Sequence, residues 1–168
     1  MQIRSYNEQA DFTYIKNWIS DERAHALWCA NLLSFPLSTD SLRQYLREHE
    51  YDRGYVFVDK ENRPVGFFIY VVNEQEKSGF LKFIMVDNRL RGQGYGTEML
   101  RQLLQGVYAN TDVSSVKLSV FDVNISARKC YEKAGFTVME NTPDAFSYRD
   151  EMWGRCIMVH EPEEPQYK

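Results

Sequence analysis

Apolar and polar positions along this 168-residue chain follow two periods, one near two residues and one near three and a half. Ile3 to Tyr6 reads as a short first strand. Two helical patterns follow, one around Phe12 to Cys29 and one from Asp40 to His49 after the break at Pro36. In the second, Leu42, Tyr45, Leu46 and His49 recur at helical spacing behind a Ser-Thr-Asp cap signal. Tyr55 to Asp59, Val65 to Val72 and Phe80 to Val86 then read as three strands joined by polar turns, a meander. A glycine-rich loop opens a helix whose apolar stripe is Leu100, Leu103, Leu104 and Val107. Val116 to Val120 is β-rich, and a helix from about Ile125 to Ala134 stops at Gly135-Phe136, a glycine C-terminus followed by an apolar residue. Strands near Phe136 to Glu140 and Trp153 to His160 complete the pattern. The order predicts an α/β (α+β) fold, a mixed sheet of about seven strands flanked by about four helices.

Composition narrows the picture. The chain is 43% hydrophobic and 26% charged, which is ordinary for a globular protein, and its length predicts one domain over residues 1–160. Residues 161–168 read as an acidic tail. A net charge of −4 argues against nucleic acid as a partner, although a local basic loop can still hold a phosphorylated ligand. The N-terminus has no apolar core of the kind a signal peptide needs, and the run Val65 to Val72 is too short to span a bilayer, so no membrane partner is expected. Cys29, Cys130 and Cys156 form no metal-ligand spacing with His25, His49 or His160. They fit free thiols in a reducing cytoplasm, and no metal is expected.

The loop Arg91-Gly92-Gln93-Gly94-Tyr95-Gly96-Thr97 lies between a strand and a helix. The first N–H groups of a helix lack intrahelical partners and face outward at the positive end of its dipole, a ready anion site. Glycines let phosphate oxygens reach those groups, and Arg89 and Arg91 add two cations. No lysine precedes Thr97, so the loop is not a Walker P-loop, and GxGxG after a meander is not the Rossmann fingerprint either. A purely structural turn remains open for the loop alone.

A second pattern runs from Val120 to Phe136. Asn124, Ala127, Tyr131 and Ala134 form one stripe of a helix, either as a plain amphipathic face with Asn124 as N-cap or as a surface along which a ligand lies. Taken together, Arg91-x-x-Gly94-x-Gly96 and Asn124-x-x-Ala127-x-x-x-Tyr131-x-x-x-Gly135-Phe136 resemble the GNAT superfamily of acyl-CoA-dependent N-acyltransferases. The resemblance is strongest from about residue 55 to 138. It implies a mostly antiparallel sheet with a V-shaped splay between Phe80–Val86 and Val116–Val120, and acetyl-CoA as cosubstrate. Main-chain groups at Met85 and Val86 would pair with the pantetheine arm, and N–H groups from Arg91 to Thr97 would cradle the pyrophosphate. Asn124 would bond the pantetheine region, Ala127 would leave room for it, and Tyr131 would sit near the thioester sulfur as the catalytic acid.

Acetyl transfer to an amine poses two proton problems. An alkyl amine with a pKa of about 10.4 is neutral at pH 7 only about once in 2,500 molecules, and the leaving thiolate needs a proton. Where some members of the superfamily carry a glutamate base, this chain has Ser119. Asp122, Glu74, Glu76, Asp150 and Glu151 are the remaining carboxylate candidates, each more readily read as a solvated surface charge. Lys82 is either a snorkelling side chain or part of the substrate wall. The resemblance places acceptor selection in about Asp21 to Tyr51 and Asn141 to Trp153. There Trp28, Phe35, Tyr45, Phe146, Tyr148 and Trp153 either line a pocket or simply pack, and Asp21, Glu22, Asp144, Asp150 and Glu151 would attract a cationic amine. His25 reads as a helix-surface residue. The expected activity is transfer of an acetyl group to a primary amine by direct attack in a ternary complex, the acceptor being a small molecule or a protein N-terminus. The competing reading is a non-catalytic acyl-CoA-binding module. The chain is expected as monomer or homodimer, the last strand being an edge that could pair across a two-fold axis.

Overall fold

The computed structural model describes residues 1–163. Seven strands and five helices follow one another: β1 (Gln2–Ser5), α1 (Glu8–Asn17), α2 (Glu22–Cys29), α3 (Thr39–Glu48), β2 (Arg53–Val58), β3 (Pro64–Asn73), β4 (Ser78–Val86), α4 (Tyr95–Asn110), β5 (Ser115–Phe121), α5 (Ile125–Lys133), β6 (Thr137–Tyr148) and β7 (Glu151–His160). A 3-10 turn, Asn88–Leu90, precedes the glycine loop. The strands form one sheet in the order β1-β2-β3-β4-β5-β7-β6. Every pair is antiparallel except β4 with β5, which α4 joins as a crossover.

Three expectations are corrected. The pattern from Phe12 to Cys29 is two helices, because Asp21 takes an extended φ of −162° and its carboxylate accepts the Ala24 N–H at 2.8 Å, starting α2 afresh. The strand near Phe136 to Glu140 continues to Tyr148, so most of the segment Asn141 to Trp153 is a long β6–β7 hairpin. The last strand is not an edge: β7 is inserted between β5 and β6, and β6 is the outer strand. Of the expected tail 161–168, residues 161–163 are exposed and irregular, and the rest lies outside the described residues.

The sheet is covered on both faces. Leu81, Val116, Leu118, Val120, Cys156 and Met158 pack under α4 and α5 with Leu100, Leu104 and Tyr131. On the other face Val56, Phe67, Ile69, Phe83 and Met85 pack under α1, α2 and α3 with Ile15, Trp18 and Leu42. A third cluster joins α2 to the hairpin through Ala26, Phe121, Tyr148 and Trp153.

Between β3 and β4 the register slips: Phe67 pairs with Met85 but Ile69 pairs with Lys82, so β4 carries one extra residue. The extra residue sits at Phe83, whose φ is +51°, a left-handed conformation unusual for a bulky side chain. Such a bulge bends its strand. Pairing of β4 with β5 runs only from Ser78↔Ser115 to Leu81↔Leu118; past that point the two strands diverge, and the sheet opens into a V.

Trp153 is fully buried and stacked between Phe146 and Tyr148, with ring centroids at 5.5 and 4.8 Å. Trp153→Ala should destabilise the protein by about 3–5 kcal/mol, read as a lowered urea midpoint at unchanged slope.

Candidate active site

The open end of the V is the mouth of a cavity of about 890 Å³ that passes between β4 and β5 and touches both faces of the sheet. Asp87 donates its main-chain N–H to the Val65 carbonyl at 2.9 Å, so by strand alternation the Val86 main chain points the other way, into the V. Met85 lines the cavity too, but the same alternation turns its main chain toward β3, where it pairs with Phe67. Of the two residues expected to meet a pantetheine arm, Val86 has the free edge.

The glycine loop closes the cofactor end. Gly92 and Gly94 have φ of +74° and +87°, and a Cβ on either would meet nothing within 4 Å, so their missing side chains leave open space before the first turn of α4. Glu98 bonds back to the Gly94 carbonyl at 3.0 Å, so the N–H groups of Tyr95, Gly96 and Thr97, ahead of it in α4, have no carbonyl of their own helix to meet. Gly96 serves a different purpose: a Cβ there would stand 2.9 Å from the Cys130 sulfur, so this glycine lets α4 and α5 touch. Arg91, Gly92, Gly94, Tyr95, Gly96 and Thr97 all line the cavity. Gln93 does not, and its amide donates to the Arg89 carbonyl at 3.3 Å. Arg89 is paired with Asp87 at 2.6 Å, so Arg91 is the cation of this loop free for an anion.

On α5, Asn124 is the N-cap: its Oδ1 accepts the Ala127 N–H at 3.4 Å, which leaves its amide N–H groups available beside the cavity it lines. The helix ends in a Schellman turn, Gly135 (φ +98°) and Phe136 donating to the carbonyls of Glu132 and Tyr131, both at 3.0 Å. That turn anchors Tyr131 from behind, and Phe136 meets its ring edge-on at 6.3 Å. The Tyr131 side chain is buried, lines the cavity and has no hydrogen bond among the described residues. Burial, with a smaller contribution from Cys130, holds its pKa well above the usual tyrosine value, so the phenol is a donor at neutral pH.

Beyond the V, on the α1–α3 side, lies a second chamber. Trp28, Tyr45, Phe83 and Phe146 line it, whereas Trp153 and Tyr148 are packing residues and Phe35 stays largely exposed outside it. Lys82 is neither snorkelling nor free. It donates to both Asp52 oxygens, at 2.9 and 3.2 Å, and to the Tyr45 hydroxyl at 3.4 Å. Burial disfavours this ammonium, but Asp52 and Tyr45 outweigh it and raise its pKa, so Lys82 is a fixed cation and not a base. His49, which sequence reasoning passed over, lines the chamber and holds its Nδ1 on the Tyr45 carbonyl at 2.8 Å. In the neutral ring that nitrogen is the donor, and Nε2 keeps its lone pair. Ser119 also lines the cavity.

The carboxylate candidates are elsewhere. Glu74 and Glu76 sit in the β3–β4 turn at the closed end of the V, and Asp122, Asp144 and Asp150 are exposed and do not line the cavity. Glu151 is paired with Arg23 at 2.7 Å and bonded by the Trp153 indole, which lower its pKa and make it a poor base. Glu22 is paired with Arg149, and Asp21 is the α2 cap. His25 is a correction: it is buried, 1% exposed, with Nε2 3.4 Å from the Cys29 sulfur and its pKa lowered by burial. The split between α1 and α2 rotates it inward.

Residues 8–136 match the acetyltransferase (GNAT) family. The chain is 31% identical over 112 residues to the spermine/spermidine N(1)-acetyltransferase of Bacillus subtilis (strain 168), an alignment covering 63% of this chain and 73% of that protein. The fold superposes on the crystal structure of spermidine N-acetyltransferase from Vibrio cholerae in complex with CoA and spermine with a TM-score of 0.80 at 18% identity, covering 95% of this chain and 94% of that one. No helix among the described residues is long and apolar enough to cross a membrane. A glycine loop ahead of α4, a splayed sheet and a buried tyrosine on α5 agree with that match: the chain belongs to the acetyltransferase (GNAT) family and is an N-acetyltransferase that uses acetyl-CoA to acetylate an amine.

Proposed function

We propose that residues 1–160 act as one catalytic domain that acetylates the primary amine of a small acceptor, by direct attack on acetyl-CoA within a ternary complex. The observation that carries this reading is the continuity of the cavity: it runs from the glycine loop, past the unpartnered Tyr131 hydroxyl, into an aromatic chamber walled by α2, α3 and the β6–β7 hairpin. A walled chamber suits a small molecule better than a protein terminus. The relatives named above act on spermine and spermidine, small molecules of that size class. Free cysteines at 29, 130 and 156, two of them buried, fit a reducing compartment, and we place the enzyme in the cytoplasm.

The roles follow from position. The open N–H groups between Gly92 and Thr97, with Arg91, receive the pyrophosphate. Asn124 donates to the pantetheine region, and Ala127 leaves the arm room. Val86 offers its carbonyl to an arm amide and its N–H to the thioester oxygen, where negative charge develops as the amine attacks. The incoming ammonium must lose a proton, and Nε2 of His49 accepts it, directly or through water. The C–N bond forms, the C–S bond breaks, the thiolate takes the Tyr131 proton, and the second proton shed by the new amide nitrogen returns through water to the Tyr131 oxygen. Because burial raises the tyrosine pKa, full transfer ahead of bond cleavage is uphill, so donation accompanies C–S cleavage.

Tyr131→Phe should lower kcat by about a hundredfold or more while the Kd for acetyl-CoA, measured by calorimetry, stays within about threefold. Since the folded-state pKa of Tyr131 is raised, the phenol stays protonated past its ordinary value of about 10, and kcat should show no basic limb from this group below that pH. A basic limb below about pH 9 that vanishes in Tyr131→Phe contradicts the assignment. Gly94→Val should weaken acetyl-CoA binding by about tenfold or more, since its methyls occupy the open space over the α4 N-terminus.

A further inference from the structure

The cavity is basic although the chain is acidic, with net charge −4. Lys82, Arg91, Lys129, Lys133 and Arg155 line it, and among the described residues no Asp or Glu does. Arg91 belongs to the loop, and Lys129 and Lys133 lie on α5 at the cofactor end, where the phosphates of CoA account for them. Lys82 is neutralised by Asp52. Arg155 has no such explanation.

Most arginines of this protein are held. Arg4, Arg23, Arg43, Arg63, Arg89, Arg128 and Arg149 each pair with a carboxylate, and Arg53 and Arg101 donate to main-chain carbonyls. Among the described residues only Arg47, Arg91 and Arg155 make neither an ion pair nor a side-chain hydrogen bond. Arg47 is exposed on α3; the other two line the cavity. Arg155 lies on β7 opposite Phe121 of β5, and two residues along Ile157 lies opposite Ser119. This is the sheet face turned toward α2, because Trp153, two residues before it, packs on Ala26. The free guanidinium therefore belongs to the acceptor chamber, across the sheet from Tyr131 and α5.

A polyamine acceptor would meet an uncompensated cation and no lining carboxylate. Its ammonium groups would find aromatic faces at Trp28, Tyr45, Phe83 and Phe146 and neutral polar groups at His49 and Ser119, but no opposite charge on the lining among the described residues. A guanidinium fork at such a place instead matches a planar anion with two oxygens. We propose that the acceptor is an amine that also carries a carboxylate, an amino-acid-type substrate, and that Arg155 holds that carboxylate while the amine faces the thioester. This rests on the transferase reading above and departs from the acceptors of the relatives.

The test is CoA release from acetyl-CoA by the full chain, with amino acids, their carboxamides, and spermidine and spermine as acceptors. The expected result is a kcat/KM for the best amino acid about tenfold or more above that of its carboxamide, with both polyamines weaker still. Arg155→Gln should bring the carboxylate-to-carboxamide ratio close to one through KM, and Arg155→Lys should recover only part of it, since it restores charge without the fork. Acetyl-CoA binding, followed in the same samples, reports that each variant is folded. Preference for spermidine or spermine, or a ratio unmoved in Arg155→Gln, overturns the proposal and leaves the transferase standing. Bound acetyl-CoA with no release to any amine overturns the transferase reading and this one with it.

Discussion

One additional residue in β4 sets the whole site. A regular antiparallel pairing of β3 and β4 would carry β4 alongside β5 to its end and close the sheet. The bulge at Phe83 turns β4 away after Leu81, and a left-handed φ at a phenylalanine persists only where its surroundings hold it. The holding group is Trp28 of α2, whose indole N–H donates to the Phe83 carbonyl at 2.8 Å, satisfying an acceptor the bulge would otherwise orphan. The Phe83 ring is clamped from the same side by Trp28 and Tyr45, with centroids 5.4 and 4.9 Å away. The aromatic residues that keep the sheet open are thus also the walls of the chamber the opening leads to. Chamber and cleft cannot vary independently.

The opened sheet divides labour between its two faces. On one face α4 and α5 supply helix N-terminal groups, a small-residue contact at Gly96 and a tyrosine in an apolar setting, a set that suits the proposed roles of holding an anionic, elongated ligand and protonating its leaving group. On the other face α2, α3 and the β6–β7 hairpin supply aromatic rings, and Lys82 of β4 with Asp52 just ahead of β2 supplies an ion pair. The Lys82–Asp52 pair sits where the two strands part, with Asp52 6% exposed. A buried ion pair is a modest source of stability, since desolvation offsets most of the attraction. Its consequence here is geometric: it fixes a charged side chain beside Tyr45 and keeps it from acting as a base.

What could be read from the sequence was what the local main chain dictates. The loop from Arg91 to Thr97 and the helix from Asn124 to Gly135 were legible because positive φ, open N–H groups and close helix contact each require particular residue types. Strand positions were legible from alternation. The bulge was not, because no glycine or proline marks Phe83. The break between α1 and α2 was concealed by Trp18 and Ile19, which carry the apolar pattern across it, although Ser20-Asp21 is a cap signal in plain sight. Its loss also misplaced His25. The position of β7 inside the sheet depends on which strands diverge, which sequence order does not reveal. For the same reason the chamber was legible only in part: Trp28, Tyr45 and Phe146 were offered as its lining and Lys82 as a piece of its wall, whereas His49 and Arg155 come from distant segments that join them only once the sheet has opened.

The charge distribution fits the proposed choice of acceptor inside the chamber and not at its rim. Two of the five acids expected to attract a cationic amine are answered by arginines on the facing segment, Glu22 by Arg149 and Glu151 by Arg23, while Asp21 caps α2 and Asp144 and Asp150 stand exposed to solvent. These pairs cross-link α2 to the β6–β7 hairpin, and Arg23 also stacks on Trp153 with its guanidinium 4.9 Å from the ring centre. These cross-links carry little field of their own, and the exposed carboxylates beside them are screened by water and salt. Discrimination falls to groups that an acceptor touches after water is displaced, where a charge acts at short range in a less polar medium. In this protein the unpaired charge at that depth, on the acceptor side, is a cation. The overall negative charge of the chain thus coexists with a cavity whose two unpaired arginines, Arg91 at the glycine loop and Arg155 in the acceptor chamber, are cations at opposite ends.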